Sequence, residues 1–316
     1  MNWNEILQLL APPLNTGVEG PLLYGVLLVL GLAVGILTGF FGVGGGFMLV
    51  PLLNVVLGIN YEIAVGSSLS FIIGTSFSGV LAQRGSGNVH LEVAAYLISG
   101  SVFGAVFGDV LQNILLFTVA GGRVELFTLW MHAIFILVLI GTIAAVRPGR
   151  DAGAGAQSAG IKKMPLLARI GPPPRFHTSE TQLLPGHAGF SVPATFLVGF
   201  LIGITTGLLG IGGGVLLVPV LLGLFGLSHQ KAAGTSLAII FVTSIAAIIK
   251  KGFTDIPKVN LVLTMVLLIS SVIGVRAGIA LLQRTGGKSF RQYFVYVLLA
   301  VIILIGVDVV RKAAAL

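Results

Sequence analysis

A glycine-rich interruption of an apolar run occurs twice in this chain, and few folds can accommodate it. Residues 35–51 (GILTGFFGVGGGFMLVP) return as residues 203–219 (GITTGLLGIGGGVLLVP), 168 positions later, with 11 of the 17 residues identical. The register holds without a gap into residues 64–69 (AVGSSL) against residues 232–237 (AAGTSL). A run that apolar belongs in a core or a bilayer, and a glycine cluster would unwind a helix there. Duplicated breaks in matching positions of two halves point to a site between repeats.

Composition selects the bilayer. The chain of 316 residues is 56% hydrophobic and 9% charged, where a soluble domain carries roughly 25% charged residues. Its apolar runs of about 17–26 residues match a hydrocarbon core of ~30 Å. The expected fold is therefore an all-α polytopic membrane protein of two homologous helical repeats. The net charge of +8 has no basic soluble face to sit on, which excludes nucleic acid as a partner. Cationic loops instead set topology and meet anionic membrane lipid. With no cysteine, disulfides, thiolate metal sites and thiol relays are excluded; no cofactor is expected.

The chain divides into an N-terminal segment (1–20), a first repeat (21–147), a basic linker (148–189), a second repeat (190–311) and a tail (312–316). The N-terminal segment has Glu5 and Glu19 but no Lys or Arg, unlike a signal peptide. The linker holds a Pro172–Pro174 run and, with Arg147 before it, six cations against Asp151 and Glu180, so it is assigned to the cytoplasmic side. In the first half, apolar runs are expected at 22–41, 47–57, 66–83, 91–119 and 127–146. The second half repeats them at 190–209, 215–225, 232–249, 259–282 and 293–310. Turns are expected at 84–88 and 251–255. The 11-residue pieces cover only about 16 Å as helix. Five crossings per half, or three with a re-entrant hairpin, make the repeats inverted; four crossings make them parallel. Inversion is the favoured reading.

Unwound backbone inside a bilayer must line a cavity or be covered by protein. A helix restarting after the break offers free N–H groups and a positive dipole end, and glycines let an anion reach them. The breaks are expected near the membrane centre, with Gly44, Gly45 and Gly46 and their repeats Gly212, Gly213 and Gly214 binding substrate through the backbone. No Gly-Lys-Ser/Thr follows, so neither is a Walker phosphate loop. Beside them stand Ser67 and Ser68, repeated as Thr235 and Ser236, which either cap the next helix or donate to a bound oxyanion. Thr75-Ser76 and Thr243-Ser244 recur about two turns further on; Thr75 and Thr243 are candidates for substrate contact or gating. Charges within apolar runs are costly, which adds Asp109 as a proton or interfacial site and Arg276 as a substrate, gating or snorkelling residue. Asp308 and His132 are read as interfacial.

These motifs, residues 42–51 with 64–68 and their second copies, resemble the sulfite exporter TauE/SafE family of membrane permeases. The resemblance covers nearly all of the chain outside the linker. It implies an inner-membrane permease for small anions, with members linked to sulfite, sulfoacetate and other organosulfur compounds. A secondary transporter for a small organosulfur or sulfur oxyanion such as sulfite or a sulfonate, coupled to a proton or other ion, follows. The alternatives are a passive anion channel and an intramembrane enzyme. The enzyme is disfavoured because neither Ser67 with His132 nor Asp109 with Asp308 sits in a recognisable catalytic pattern.

Overall fold

A computed structural model describes residues 21–119, 124–146, 192–254 and 259–313, and these form helices with no strand among them. In the first half lie α1 (Pro21–Phe41), α2 (Gly46–Pro51) with a π-helical turn (Leu52–Val56), α3 (Tyr61–Arg84), α4 (Leu91–Ile114) with a π-helical turn (Leu115–Val119), and α5 (Val124–Ala145). In the second half lie α6 (Val192–Leu209), α7 (Gly214–Gly223), α8 (His229–Thr254), α9 (Leu261–Gln283) and α10 (Gly287–Ala313). Each element of the first half has its counterpart five helices later. Among the described residues seven helices are long and apolar enough to cross a membrane: α1, α3, α4, α5, α8, α9 and α10. The N-terminal segment, the linker and the last residues of the tail lie outside the described residues.

The side chains are arranged for a lipid solvent. Leu22, Phe103, Leu137 and Ile303 are exposed, while Thr38, Ser67, Ser76, Thr235 and Ser244 are buried. Apolar groups facing outward lose nothing in hydrocarbon, and hydroxyls facing inward can find partners there.

Several helices begin earlier than their apolar runs suggest. α3 starts at Tyr61 because Asn60 caps it, its side chain accepting from the Glu62 amide at 3.0 Å. Asn260 caps α9 through the Leu263 amide at 2.9 Å, and that helix starts at Leu261, two residues after its expected run begins. Ser67 and Ser68 are therefore mid-helix residues, and the capping alternative for them is corrected. α8 continues through Thr254, so the expected turn at 251–255 is helix for at least four of its five residues. α10 starts six residues ahead of its apolar run.

Glycine ladders bring the halves together. Gly31, Gly35 and Gly39 of α1 lie against the α9 backbone at Leu267, Ser271 and Val275, and Gly274 and Gly278 of α9 reciprocate at Leu32 and Ile36. The pair α4–α6 repeats this geometry: Gly100, Gly104 and Gly108 meet Phe196, Phe200 and Ile204, and Gly199, Gly203 and Gly207 meet Leu97, Ser101 and Ala105. Residue numbers rise together along both pairs, so each is a parallel crossing, and only glycine lets the backbones come so close. Each half thus lays its first helix on the fourth helix of the other. Between these pairs α3 meets α8. Gly79 packs on Leu237, while Ile72 and Ile240 approach the same glycines, so numbers rise along one helix as they fall along the other.

His132 and Asp308, expected to be interfacial, meet inside the protein. Both are buried, and His132 Nδ1 lies 3.5 Å from Asp308 Oδ2. They join α5 to α10, the last helices of the two halves, and the Tyr61 ring packs edge-on against His132 with centroids 5.9 Å apart. The sequence registers each residue's position along its own helix, not the partner that packing supplies from the other half.

Candidate functional site

The two glycine breaks touch. A Cβ added to Gly46 would lie 2.8 Å from the Gly210 carbonyl oxygen, and one added to Gly214 would collide with the Val43 carbonyl. Gly44 and Gly212 face the same two side chains: Ile240 Cγ2 at 3.0 and 3.1 Å and Ile72 methyls at 3.2 Å. Ile72 and Ile240 lie midway along α3 and α8, so the breaks meet at the middle of the helical layer.

Local chemistry explains the shape of each break. Gly42, Gly44 and Gly45 have φ of 72°, 75° and 83°, and Gly210, Gly212 and Gly213 have 68°, 71° and 67°. This left-handed region is costly for residues with a Cβ, by roughly 1–2 kcal/mol. Gly45 and Gly213 stand at the N-caps of α2 and α7, where no side chain caps the helix. The amides of Gly44, Gly45, Gly46, Gly212, Gly213 and Gly214 meet no acceptor among the described residues. All six glycines are buried. Two sets of donors without an acceptor among the described residues therefore lie buried at two helix starts whose breaks touch.

Of the hydroxyls named from sequence, Ser68, Ser236 and Thr75 reach the breaks, and Ser67, Thr235 and Thr243 are engaged elsewhere. Ser68 Oγ donates to the Gly210 carbonyl at 3.0 Å, and Ser236 Oγ donates to the Gly42 carbonyl at 2.6 Å. Each half thus satisfies the carbonyl at the break of the other. Ser67 Oγ accepts from the Asn260 amide at 3.0 Å, and Thr235 Oγ1 accepts from the His90 amide at 2.9 Å. These bonds tie α3 to the start of α9 and α8 to the start of α4. Thr75 Oγ1 reaches the Gly44 carbonyl at 3.3 Å and two carbonyls of its own helix. Thr243 Oγ1 shares a hydrogen bond with Ser101 Oγ at 2.7 Å.

The two charged candidates are not brought to the breaks. Asp109 is buried at the α4–α6 crossing, where its backbone amide lies beside Gly207. Arg276 is exposed on α9, turned away from the face that Gly274 and Gly278 present to α1. The two serines that recur beside the candidate threonines are instead the open ones. Ser76 and Ser244, each the neighbour of a named threonine, are fully buried and their hydroxyls have no hydrogen-bond partner among the described residues.

The comparisons agree with this architecture. The family model for "Sulfite exporter TauE/SafE" matches residues 27–305. The chain is 26% identical to the probable membrane transporter protein YunE of Bacillus subtilis, over 91% of this chain and 97% of that protein. It is 28% identical to the probable membrane transporter protein YjnA of the same organism, over 80% of this chain and 87% of the relative. To the probable membrane transporter protein MJ0441 of Methanocaldococcus jannaschii it is 25% identical, over 85% and 90%. No solved structure matches it. The chain belongs to the TauE/SafE family and is an integral membrane transporter, not an enzyme.

Proposed function

We propose, with membership of this family as the premise, that the chain is a secondary transporter moving a small sulfur oxyanion or organosulfur anion, such as sulfite or a sulfonate, across the bacterial cytoplasmic membrane. The observation that carries the reading is the meeting of two glycine breaks whose six buried amides have no acceptor. Oriented N–H groups at helix starts favour negative charge. A sulfonate or sulfite group presents several oxygens to accept from donors of both halves at once.

We read the halves as inverted repeats. α3 and α8 are copies of one sequence, and their contacts run in opposite order. Copies that run antiparallel are related by an axis in the membrane plane, a relation that supports a substrate site at the repeat interface near mid-membrane. Ile72 and Ile240 cover the amides from two sides, so an anion must displace them to bind. That favours a carrier over an open channel. Energy comes from a gradient of protons, of another ion or of the substrate itself, because the sequence has no nucleotide-binding loop.

The test is counterflow in proteoliposomes with sulfite, thiosulfate, sulfoacetate, taurine and sulfolactate, with and without an imposed pH gradient. Saturable exchange of at least one sulfur anion is expected. Selective movement of cations, or large unitary currents without saturation, would refute the reading.

A further inference from the structure

Three buried side chains mark a line through the molecule that the glycine breaks alone do not explain. Ser76, Ser244 and Gln83 are all 0% exposed, and the Ser76 and Ser244 hydroxyls and both polar atoms of the Gln83 amide lack hydrogen-bond partners among the described residues. Hydroxyls inside helices ordinarily bond a carbonyl one turn back. Thr38, Thr142 and Thr206 do so here at 2.8, 2.8 and 3.3 Å. Ser76 and Ser244 do not, although the same bond is open to any helical serine. Leaving such groups unpaired in a dry interior is costly.

Their placement is systematic. At 100° per residue, Ser76 and Gln83 fall within about 40° of Ile72 around α3, and Ser244 lies within about 40° of Ile240 around α8. All three therefore lie on the faces that α3 and α8 turn toward each other, the faces on which Gly79 meets Leu237. Along the axis, Ser76 is about 6 Å and Gln83 about 16 Å from Ile72. Ser244 is displaced about 6 Å from Ile240 along a helix whose contacts run in the opposite order, which carries it to the other side of the centre. Gln83 sits at the far end of the line, with its Oε1 3.1 Å from where a Cβ of Gly234 would be. Among the described residues no Lys or Arg is buried, so this line offers neutral donors and acceptors only.

We infer that Gln83, Ser76 and Ser244 are the polar steps of the permeation path, which runs between α3 and α8 and passes the glycine amides at its centre. The inference rests on the transport reading above and adds the route, two hydroxyl subsites flanking the central one, and an amide at one mouth. The occupant is a small oxyanion with part of its hydration shell. The groups lack protein partners because their partners are the moving anion and its waters.

Two measurements test the path. The first is transport with Ser76→Ala, Ser244→Ala, their double variant and Gln83→Leu in proteoliposomes, alongside the apparent Tm of each protein. Removing an unpaired buried group leaves the Tm at or above wild type, whereas the initial rate of anion exchange falls at least about tenfold in the double variant, the effect of losing donors to a charged group. A Tm that falls together with the rate would mean that the groups are bonded within the fold and would overturn the inference, as would unchanged rates. The second uses the cysteine-free background. Ser76→Cys and Ser244→Cys in liposomes are exposed to a membrane-impermeant methanethiosulfonate that itself bears a sulfonate. Labelling of both is expected, and failure of both to label overturns the path. If wild type moves no sulfur anion yet both cysteines label, the choice of cargo is wrong and the path stands.

Discussion

Ser236→Ala separates two roles that sequence alone could not. The single hydroxyl proton is shared between the Gly42 carbonyl at 2.6 Å and the Ala233 carbonyl at 2.9 Å. Alanine removes both bonds and leaves the Gly42 oxygen buried at the break, where no helix turn can take it up. An orphaned buried acceptor costs about 1–3 kcal/mol. Hydrogen bonds between helices in membranes average only about 0.6 kcal/mol, with a maximum of about 1.7, because the unfolded chain in lipid also finds partners. The short distance and the absence of a local alternative place this bond in the upper part of that narrower range, so the expected loss is about 1–1.7 kcal/mol. Ser68→Ala breaks the symmetric bond to Gly210 at 3.0 Å and should cost the same or slightly less. The assay is equilibrium unfolding in mixed micelles for both singles and the double, with anion Kd measured on the same preparations. If unfolding free energies stay within about 0.3 kcal/mol of wild type while Kd rises tenfold, the serines are substrate donors and the reasoning from the locks is wrong.

Gly44→Ala and Gly212→Ala each place a Cβ in a left-handed backbone against Ile240 and Ile72; transport is expected to fail with a loss of roughly 1–2 kcal/mol, and adding Ile72→Ala should relieve the crowding but not that backbone cost. His132→Ala removes the contact with Asp308 and a buried ring and should destabilise by about 1–3 kcal/mol, read as a lowered Tm; an unchanged Tm would show that the pair contributes nothing to joining α5 and α10. Ser67→Ala leaves the Asn260 amide without its acceptor in a residue 2% exposed, whereas Thr235→Val leaves that of His90, which is half-buried. The first should therefore cost more than the second by unfolding measurements, and the reverse order would refute the tethering roles.

What was legible in the sequence follows from the kind of signal each feature leaves. The duplicated glycine break is contiguous, so both its existence and its place at a helix start could be read directly. The glycines of the parallel crossings recur every four residues along α1, α4 and α6 and could be seen as packing faces. The start of α3 was missed by five residues because Asn60 caps it through a polar turn that carries no apolar signal. The hydroxyls were found but their duties were not: the Ser68 and Ser236 acceptors lie 142 and 194 residues away. The choice of Thr75 over Ser76 hinged on azimuth. A single residue is 100° of helix, which decides whether a hydroxyl meets Gly44 or the open interface. Arg276 illustrates the same limit, since hydropathy reports depth in the bilayer and says nothing of which way a helix face points.

The absence of a buried cation among the described residues suits a carrier better than a tight binding protein. A lysine at mid-membrane would hold a sulfur anion strongly, and its own desolvation would have to be met whenever the site stood empty. Amides at helix starts carry no net charge. Each helix end contributes about 0.3–2 kcal/mol toward an anion, so the two ends together supply a modest attraction that also costs little when vacant. Transport requires binding favourable enough to enter and weak enough to leave. The serine locks complete the argument: they consume the break carbonyls, whose negative ends would otherwise oppose the amides. Because Ser68 and Ser236 each serve the opposite break, neither half can present its donors without the other in place.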